Sequence, residues 1–351
     1  MIAVIIGGKA QVDETCRGYE MSFKKFFTGL LAASVLLMNS GCAASKDADL
    51  NLAARDVSTL AVRANLVVSD TLPEKVVYDI VSVIFGDTSI FGIYSDTMNI
   101  ENASSVEGVP YHPGAASYYE ENGCSVAETS SETNTEEEYV PEITIATGDI
   151  SGMYYNIGIA LSQALQGATG IVVNVISTSG SKANLEAIAD GTADIGFVQA
   201  DILHYAVNGE KVFEGSPMTG FSEAAALYVE ALQIVTTDPD IASVADLRGK
   251  KVSIGEEGSG VYYNALDVLE AYGIGGDDIE LSYQGFKDEA ESLYDGSLDA
   301  VFVVAGYPTE AVSELALKES IYLVPVEGAE CDALIASTPY YETIVIPAGT
   351  Y

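Results

Sequence analysis

The chain has no tryptophan and is short of cations, with 15 Lys and Arg against 52 Asp and Glu and a formal charge of −37 over 351 residues. Such a surface argues against nucleic acid or anionic lipid as a partner, because both are held through clustered Lys and Arg. Only two histidines occur, His112 and His204, and four cysteines, Cys16, Cys42, Cys124 and Cys331. No pair of these has zinc-ligand spacing, so no metal is expected, and a Ser-His-Asp or Cys-His arrangement has little support. His112 stands in a Pro-x-His-Pro-Gly turn and reads as structural, while His204 reads as a surface helix position. The cysteines form no disulfide framework, although Cys124 and Cys331 remain open as a pair. There is no Walker A loop and no Gly-x-Gly-x-x-Gly fingerprint, and no cofactor is expected. No repeat of solenoid length is present. The uncharged apolar run from Phe26 to Met38 is too short to span a membrane.

That run does fit a signal-peptide core. Lys24 and Lys25 precede it, Met21 sits where such a peptide begins, and Ser40-Gly41-Cys42 supplies the small residues and cysteine of a lipoprotein cleavage site. Residues 21–42 are therefore expected to be a lipoprotein-type signal, with Cys42 as the lipidation site. Asn39 stands where an aliphatic residue is usual. Residues 1–20 read as a misannotated upstream start or an unusual extension. An extracytoplasmic, lipid-anchored protein is the expectation.

Chemistry concentrates in glycine turns between strands and helices. In Glu142-Ile-Thr-Ile-Ala-Thr-Gly-Asp-Ile-Ser-Gly-Met-Tyr-Tyr155 an alternating strand ends at Gly148 and Gly152, and an apolar-periodic helix runs from Tyr155 to Leu165. Ser177-Thr-Ser-Gly-Ser-Lys-Ala-Asn-Leu185 repeats the pattern, with Ser179 or Ser181 placed to cap a helix reaching Ala189. The strand before Gln199 and Asp201 reads as buried. Gly255-Glu-Glu-Gly-Ser-Gly260 follows the strand Lys251–Ile254, and Val304-Ala-Gly-Tyr-Pro308 follows the strand Asp299–Val304. Turns of this kind aim free N–H groups and helix dipoles at one spot, which makes them seats for a carboxylate. Their spacing along alternating strands and helices describes an open, parallel-rich α/β sheet split over two lobes.

Taken together these motifs resemble the TAXI family, the extracytoplasmic solute receptors of one class of TRAP transporters. The resemblance rests on Gly148-x-x-x-Gly152-x-Tyr154-Tyr155, Ser-Thr-Ser-Gly-Ser-x-x-Asn184, Asp194-x-x-x-x-Gln199-x-Asp201, Asp246-Leu-Arg-Gly-Lys-Lys251, Gly258-Ser-Gly260, the Asp295–Pro308 run and Ile346-Pro-Ala-Gly-Thr-Tyr351. It covers residues 142–351 and implies a two-lobed periplasmic-binding-protein-like fold of the second type, no enzymatic activity, and TRAP permease subunits as partners.

In that family the Ile-Pro-x-Gly-Thr-Tyr element leads into a strand, a Leu-Pro helix and a Pro-x-His-Pro-Gly-Ala segment. All three resemble stretches of this chain at its other end: Thr59–Ser69, Leu72–Tyr78 and Pro110–Gly123. Residues 56–123 thus read as a displaced C-terminal piece in a circular permutant, joined by a Glu-, Ser- and Thr-rich tether over residues 124–141. A faulty gene model or recombination between tandem copies is the rival account.

The resemblance implies a small carboxylate or a glutamate-like amino acid as ligand. Candidate contacts are Gly152, Tyr154, Tyr155, Ser179, Ser181, Asn184, Ser259, Gly260 and Gly306. Gln199 and Asp201 are candidates to receive an ammonium, and Arg63 or Lys182 to meet a carboxylate. An enzyme or a sensory receptor on the same fold is the alternative reading.

Overall fold

A computed structural model describes residues 55–95, 98–130 and 142–351. The expected signal peptide, Cys42 and the acidic stretch 131–141 lie outside the described residues. β1 (Val57–Ser69) leads to α1 (Glu74–Gly86) and α2 (Pro113–Glu121). Three strand–helix units follow: β2 (Glu142–Ala146) with α3 (Met153–Thr169), β3 (Val172–Ile176) with α4 (Ser181–Ala189), and β4 (Ile195–Gln199) with α5 (Ala200–Asn208). After the long β5 (Phe221–Thr236) come β6 (Lys251–Ser253), α6 (Gly260–Ala271), β7 (Glu280–Ser282) and α7 (Phe286–Asp295). The chain closes with β8 (Ala300–Ala305), α8 (Glu310–Ala316), β9 (Tyr322–Val324), α9 (Ala329–Ser337) and β10 (Tyr341–Ile346).

These strands form one mixed sheet in the order β3-β2-β4-β1-β5-β8-β6-β7, with β10 added to β1 and β9 to β5. The flanks are parallel, β3-β2-β4 on one side and β8-β6-β7 on the other. The centre is antiparallel, so the expectation of parallel-rich sheets holds for the flanks and fails in the middle. The physical cause is that β1 and β5 each serve two lobes. β1 pairs through Val57–Val62 with β10 and through Ala64–Val68 with β4. β5 pairs with β1 up to Ala231, and from Ala231 to Thr236 with β8. Register shifts between Arg63 and Asn65 and between Leu66 and Val67 bend the pair near this hand-over, as bulges do. Both strands are buried over nearly their whole length, which requires the near-continuous apolar run seen in each.

Each lobe is a helix–sheet–helix sandwich with a core on either face. In the first, Ile80, Ile84, Tyr119, Leu161 and Phe197 fill one face, and Leu185, Ile202 and Tyr205 the other. In the second, Leu60, Ile254, Val268 and Phe302 fill one face, and Leu293, Val303 and Leu315 the other. Leu60 and Leu66 sit on the same strand in different lobes. None of the described helices is long and apolar enough to cross a membrane.

The segment 56–123 is woven into this architecture. β1 is a central strand, α1 packs on α2 and α3, and Asp56 Oδ1 accepts the Ala348 N–H at 3.0 Å. The start of the stretch read as a tether is also held: Tyr111 N–H donates to the Glu128 carbonyl at 2.8 Å, and Ser130 N–H donates to the Tyr111 carbonyl at 2.8 Å. Cys124 and Cys331 are both free thiols, which closes the disulfide question for the described residues. His112 is fully buried and caps α2, its Nδ1 accepting the Gly114 N–H at 3.2 Å while Nε2 lies 3.1 Å from the Leu72 carbonyl. Burial lowers its pKa to about 4.

Where α2 crosses α1 there is no space for a methyl group. A Cβ on Gly114 would stand 2.1 Å from the Glu74 carbonyl oxygen and 2.9 Å from the Tyr78 nitrogen, both backbone atoms that cannot rotate aside. Gly114→Ala must push the helices apart, an overpacking change costing about 3 kcal/mol. A urea melt should show the midpoint moved down with an unchanged slope.

A cleft between the lobes

The glycine turns place helix ends, and the long strands place polar side chains, around one small cavity of about 60 Å³. α3, α4, α6 and α7 all begin at it, with N-terminal residues Gly152, Gly180, Ser259 and Gly285 in its wall. Two of these helices belong to each lobe, so four positive dipole ends face the same space. The approach is close enough to demand glycine. A Cβ on Gly260 would lie 1.7 Å from Gln199 Oε1, which comes from the opposite lobe. Gly255 has φ +81°, and a Cβ there would lie 2.8 Å from that of Val261.

The floor is Glu230, on β5 just before the strand passes from one lobe to the other. It is 2% exposed, and burial raises its pKa to about 7. Its Oε2 accepts from Tyr154 Oη at 3.0 Å and from Gln199 Nε2 at 3.0 Å, and its Oε1 accepts from Tyr228 Oη at 3.3 Å. All three donors are neutral. Tyr154 is fixed by stacking on Phe197, ring centroids 5.1 Å apart. Gln199 Oε1 is buried and has no protein partner. Ser181 Oγ accepts the Gln199 N–H at 3.1 Å, and Ser259 Oγ accepts the Tyr262 N–H at 3.1 Å as the cap of α6.

Further acids stand at the edge. Asp149 and Glu256, from opposite lobes, line the cavity. A Cβ on Gly285 would be 2.5 Å from Asp149 Oδ2 and 3.5 Å from Glu256 Oε1. Burial, then the charges of Asp149 and Asp288, raises the Glu256 pKa. Beneath them Glu289 is fully buried, accepts from Ser253 Oγ at 2.7 Å, and is raised to about 8 by burial.

Of the residues expected at the site, the cavity wall contains Gly152, Tyr154, Ser179, Ser181, Gln199, Ser259 and Gly260. Tyr155 and Gly306 are not part of it; Gly306 is covered by the Tyr94 ring, whose hydroxyl would stand 2.2 Å from an added Cβ. Asn184 is buried in the first lobe, donating to the Thr147 and Phe197 carbonyls at 2.6 and 2.7 Å. The expected cations are elsewhere. Arg63 lies 3.7 Å from Glu342 at the surface, and Lys182 pairs with Glu186 one turn along α4. No Lys or Arg lines the cavity.

Asp201 departs from expectation most. Gln199 ends β4 and Asp201 lies in the first turn of α5, so the chain's change of direction carries the carboxylate away from the cavity. It accepts from Asn264 Nδ2 at 2.7 Å across the lobe boundary. Asn264 Nδ2 also donates to Tyr341 Oη at 2.9 Å, and Asp267 Oδ2 accepts from Tyr341 and Tyr205 at 2.9 and 2.8 Å. Lys211 Nζ donates to Asp267 Oδ1 at 2.9 Å. The result is a polar clasp made by α5, α6 and β10. The residues that sequence reasoning missed are Glu230, Asp149, Glu256 and Phe286; only Glu230 carried a signal, as one of two charges, with Glu223, inside a largely apolar strand.

Among known proteins, a family model described as the NMT1-like family matches residues 45–123 and 145–351. The structure is similar to the periplasmic aliphatic sulphonate binding protein SsuA from Escherichia coli, with 17% identity, 59% of this chain and 65% of that chain covered, and a TM-score of 0.36. It is also similar to the alkanesulfonate-binding protein SsuA from Xanthomonas axonopodis pv. citri, with 21% identity, coverage of 52% and 60%, and a TM-score of 0.36. A third is arginine-bound ArgBP from T. maritima, a Gly52Ala mutant, with 13% identity, coverage of 53% and 82%, and a TM-score of 0.37. The chain spans less than two thirds of the length of either sulphonate binding protein, at 65% and 60%.

Proposed function

This chain belongs to the NMT1-like family, and from that premise we propose that it is an extracytoplasmic receptor that captures a small carboxylate or amino acid and gives it up unchanged. The observation that carries the reading is the convergence of four helix N-termini, two from each lobe, on one cavity between them. Unpaired N–H groups at helix ends bind a carboxylate without any cation, and clefts between lobes are where such ligands are enclosed. The finer reading is a TAXI-type receptor serving a TRAP permease, held to the membrane by a lipid on Cys42. Its support is the order of turn motifs and the Ser40-Gly41-Cys42 sequence.

The same reading takes residues 56–123 as a circularly permuted C-terminal piece. It is supported by the contact of Asp56 with Ala348 and by the pairing of β1 with β10, which bring the start of β1 beside the end of β10.

Calorimetric titration of the purified protein with glutamate, glutamine and C4–C5 dicarboxylates tests the function. One-to-one binding with the ligand recovered intact is expected. Product formation would transfer the protein to the enzymes, and a membrane fraction free of it would remove the lipid anchor.

A further inference from the structure

On the reading that this cleft holds a solute, we propose that the solute is a compact amino acid whose ammonium group is received by Glu230 and by Gln199 Oε1. The floor of the cavity is made of acceptors. The Glu230 carboxylate is surrounded by Tyr154, Gln199 and Tyr228, all neutral donors, and no Lys or Arg lines the space. A carboxylate held out of water with no opposite charge is costly, and a bound cation removes that cost. Gln199 adds a second acceptor. Its Nε2 is committed to Glu230, which leaves Oε1 unpartnered, 2% exposed with its residue, and close to the Gly260 turn of the facing lobe. An ammonium has three N–H donors and satisfies both groups at once. A second carboxylate there would face Glu230 directly and leave Gln199 Oε1 unpaired.

Polarity reverses toward the helix ends. The N–H groups of Gly180 and Ser259 are donated to Thr178 Oγ1 and the Glu256 carbonyl. The first helical residues, Ser181 and Gly260, one from each lobe, carry backbone N–H groups that no bond within their helices uses, and with the Ser181 and Ser259 hydroxyls they make a setting for an anion. Acceptors on the floor and donors at the ends of α4 and α6 fit a zwitterion, and the carboxylates of Asp149 and Glu256 at the edge add to what opposes a dicarboxylate. The cavity, about 60 Å³ and open on one side, has room for only a few water molecules, which makes the smallest amino acids the first probes.

The test is titration of the full chain with glycine, L-alanine and L-glutamate, each beside a nitrogen-free counterpart: acetate, lactate and 2-oxoglutarate. At least one amino acid should bind, and its counterpart should bind roughly tenfold to a hundredfold more weakly, the range for one lost charged hydrogen bond. Glu230→Gln should erase that preference while a thermal melt shows it folded; if it does not fold, the paired titrations on the unaltered protein decide. Equal or tighter binding of the nitrogen-free partner would overturn the ammonium assignment and leave the receptor reading standing. Binding of no member of this panel would overturn the compact amino acid, and the receptor reading falls with it only if glutamine and the other C4–C5 dicarboxylates also fail to bind.

Discussion

The ligand-free protein should be several kcal/mol more stable near pH 5 than near pH 8. Glu230 and Glu289 are fully buried, and burial raises them to about 7 and about 8. In the unfolded chain both titrate near 4.5. Between those limits the folded state holds protons that the unfolded state has released, so stability falls as pH rises. The contribution is fully present below 4.5 and gone above the folded values. At about 1.4 kcal/mol per tenfold difference in proton affinity, each group is worth on the order of 2–5 kcal/mol. Glu223 and Asp201 act in the same direction, being buried and raised by burial.

His112 opposes them. Lowered to about 4, it is a group whose contribution is lost as pH falls below 6.5, but it is one residue against four. From about 6.5 to 8 only the acids act. A set of exposed aspartates held down by hydrogen bonds, Asp246 and Asp278 among them, sets the acid limit below about 3.8. Urea titrations at half-unit pH steps should place the maximum near 5. A maximum at pH 7 or above would mean that these carboxylates are hydrated, and Glu223→Gln would then bring no gain at pH 8.

The second large effect concerns residues 56–123. Deleting them should leave a chain with no cooperative unfolding transition. The deletion removes β1 from between β4 and β5 and strips β10 of its partner, so three strands lose ladders at once. It also removes Leu60 and Val62 from one core and Leu66, Ile80, Ile84 and Tyr119 from another. Each such side chain is worth about 1.5–3 kcal/mol when buried, so the loss is comparable with the whole stability of a typical domain, about 5–15 kcal/mol. Moving the same residues to follow Tyr351, with a short linker to Asp56, should restore the transition and the binding. A deletion variant that still melts sharply would make the segment a dispensable prefix. A relocated variant that stays unfolded would remove the permutation reading.

Much of the architecture was legible because strand–turn–helix units write themselves locally. Glycine at a turn, an alternating run before it and a 3.6-residue period after it are enough, and the bounds of β6 and β8 and the end of α4 at Ala189 fell within about one residue of expectation. The antiparallel centre was not legible. A strand buried on both faces reads the same whichever way its neighbours run, and β1 and β5 have neighbours from both ends of the chain.

The site divides along the same line. Residues in turns, such as Gly152, Ser181 and Ser259, were found because the turn itself aims them. Asp201 was misplaced because nearness to a turn says nothing about which way a side chain leaves the sheet, and Arg63 because a place in mid-strand does not fix the face its side chain leaves by. Glu230 was passed over although a charge inside Ala224–Thr236 is conspicuous. Its meaning depends on Tyr154, Gln199 and Tyr228 meeting around it, and Tyr154 and Gln199 come from other elements.

The pairing of β1 with β10 has a mechanical consequence. The two strands are antiparallel, and Val57 and Ile346 form the first of six registered pairs, running to Val62 with Tyr341. A force drawing Asp56 away from Ala348 therefore loads that first pair alone and then each in turn. Hydrogen bonds opened in sequence resist far less than the same bonds sheared together. This edge of the molecule is a zipper with its tab at Asp56, and a pulling experiment from those two points should peel β10 away before either lobe's core yields.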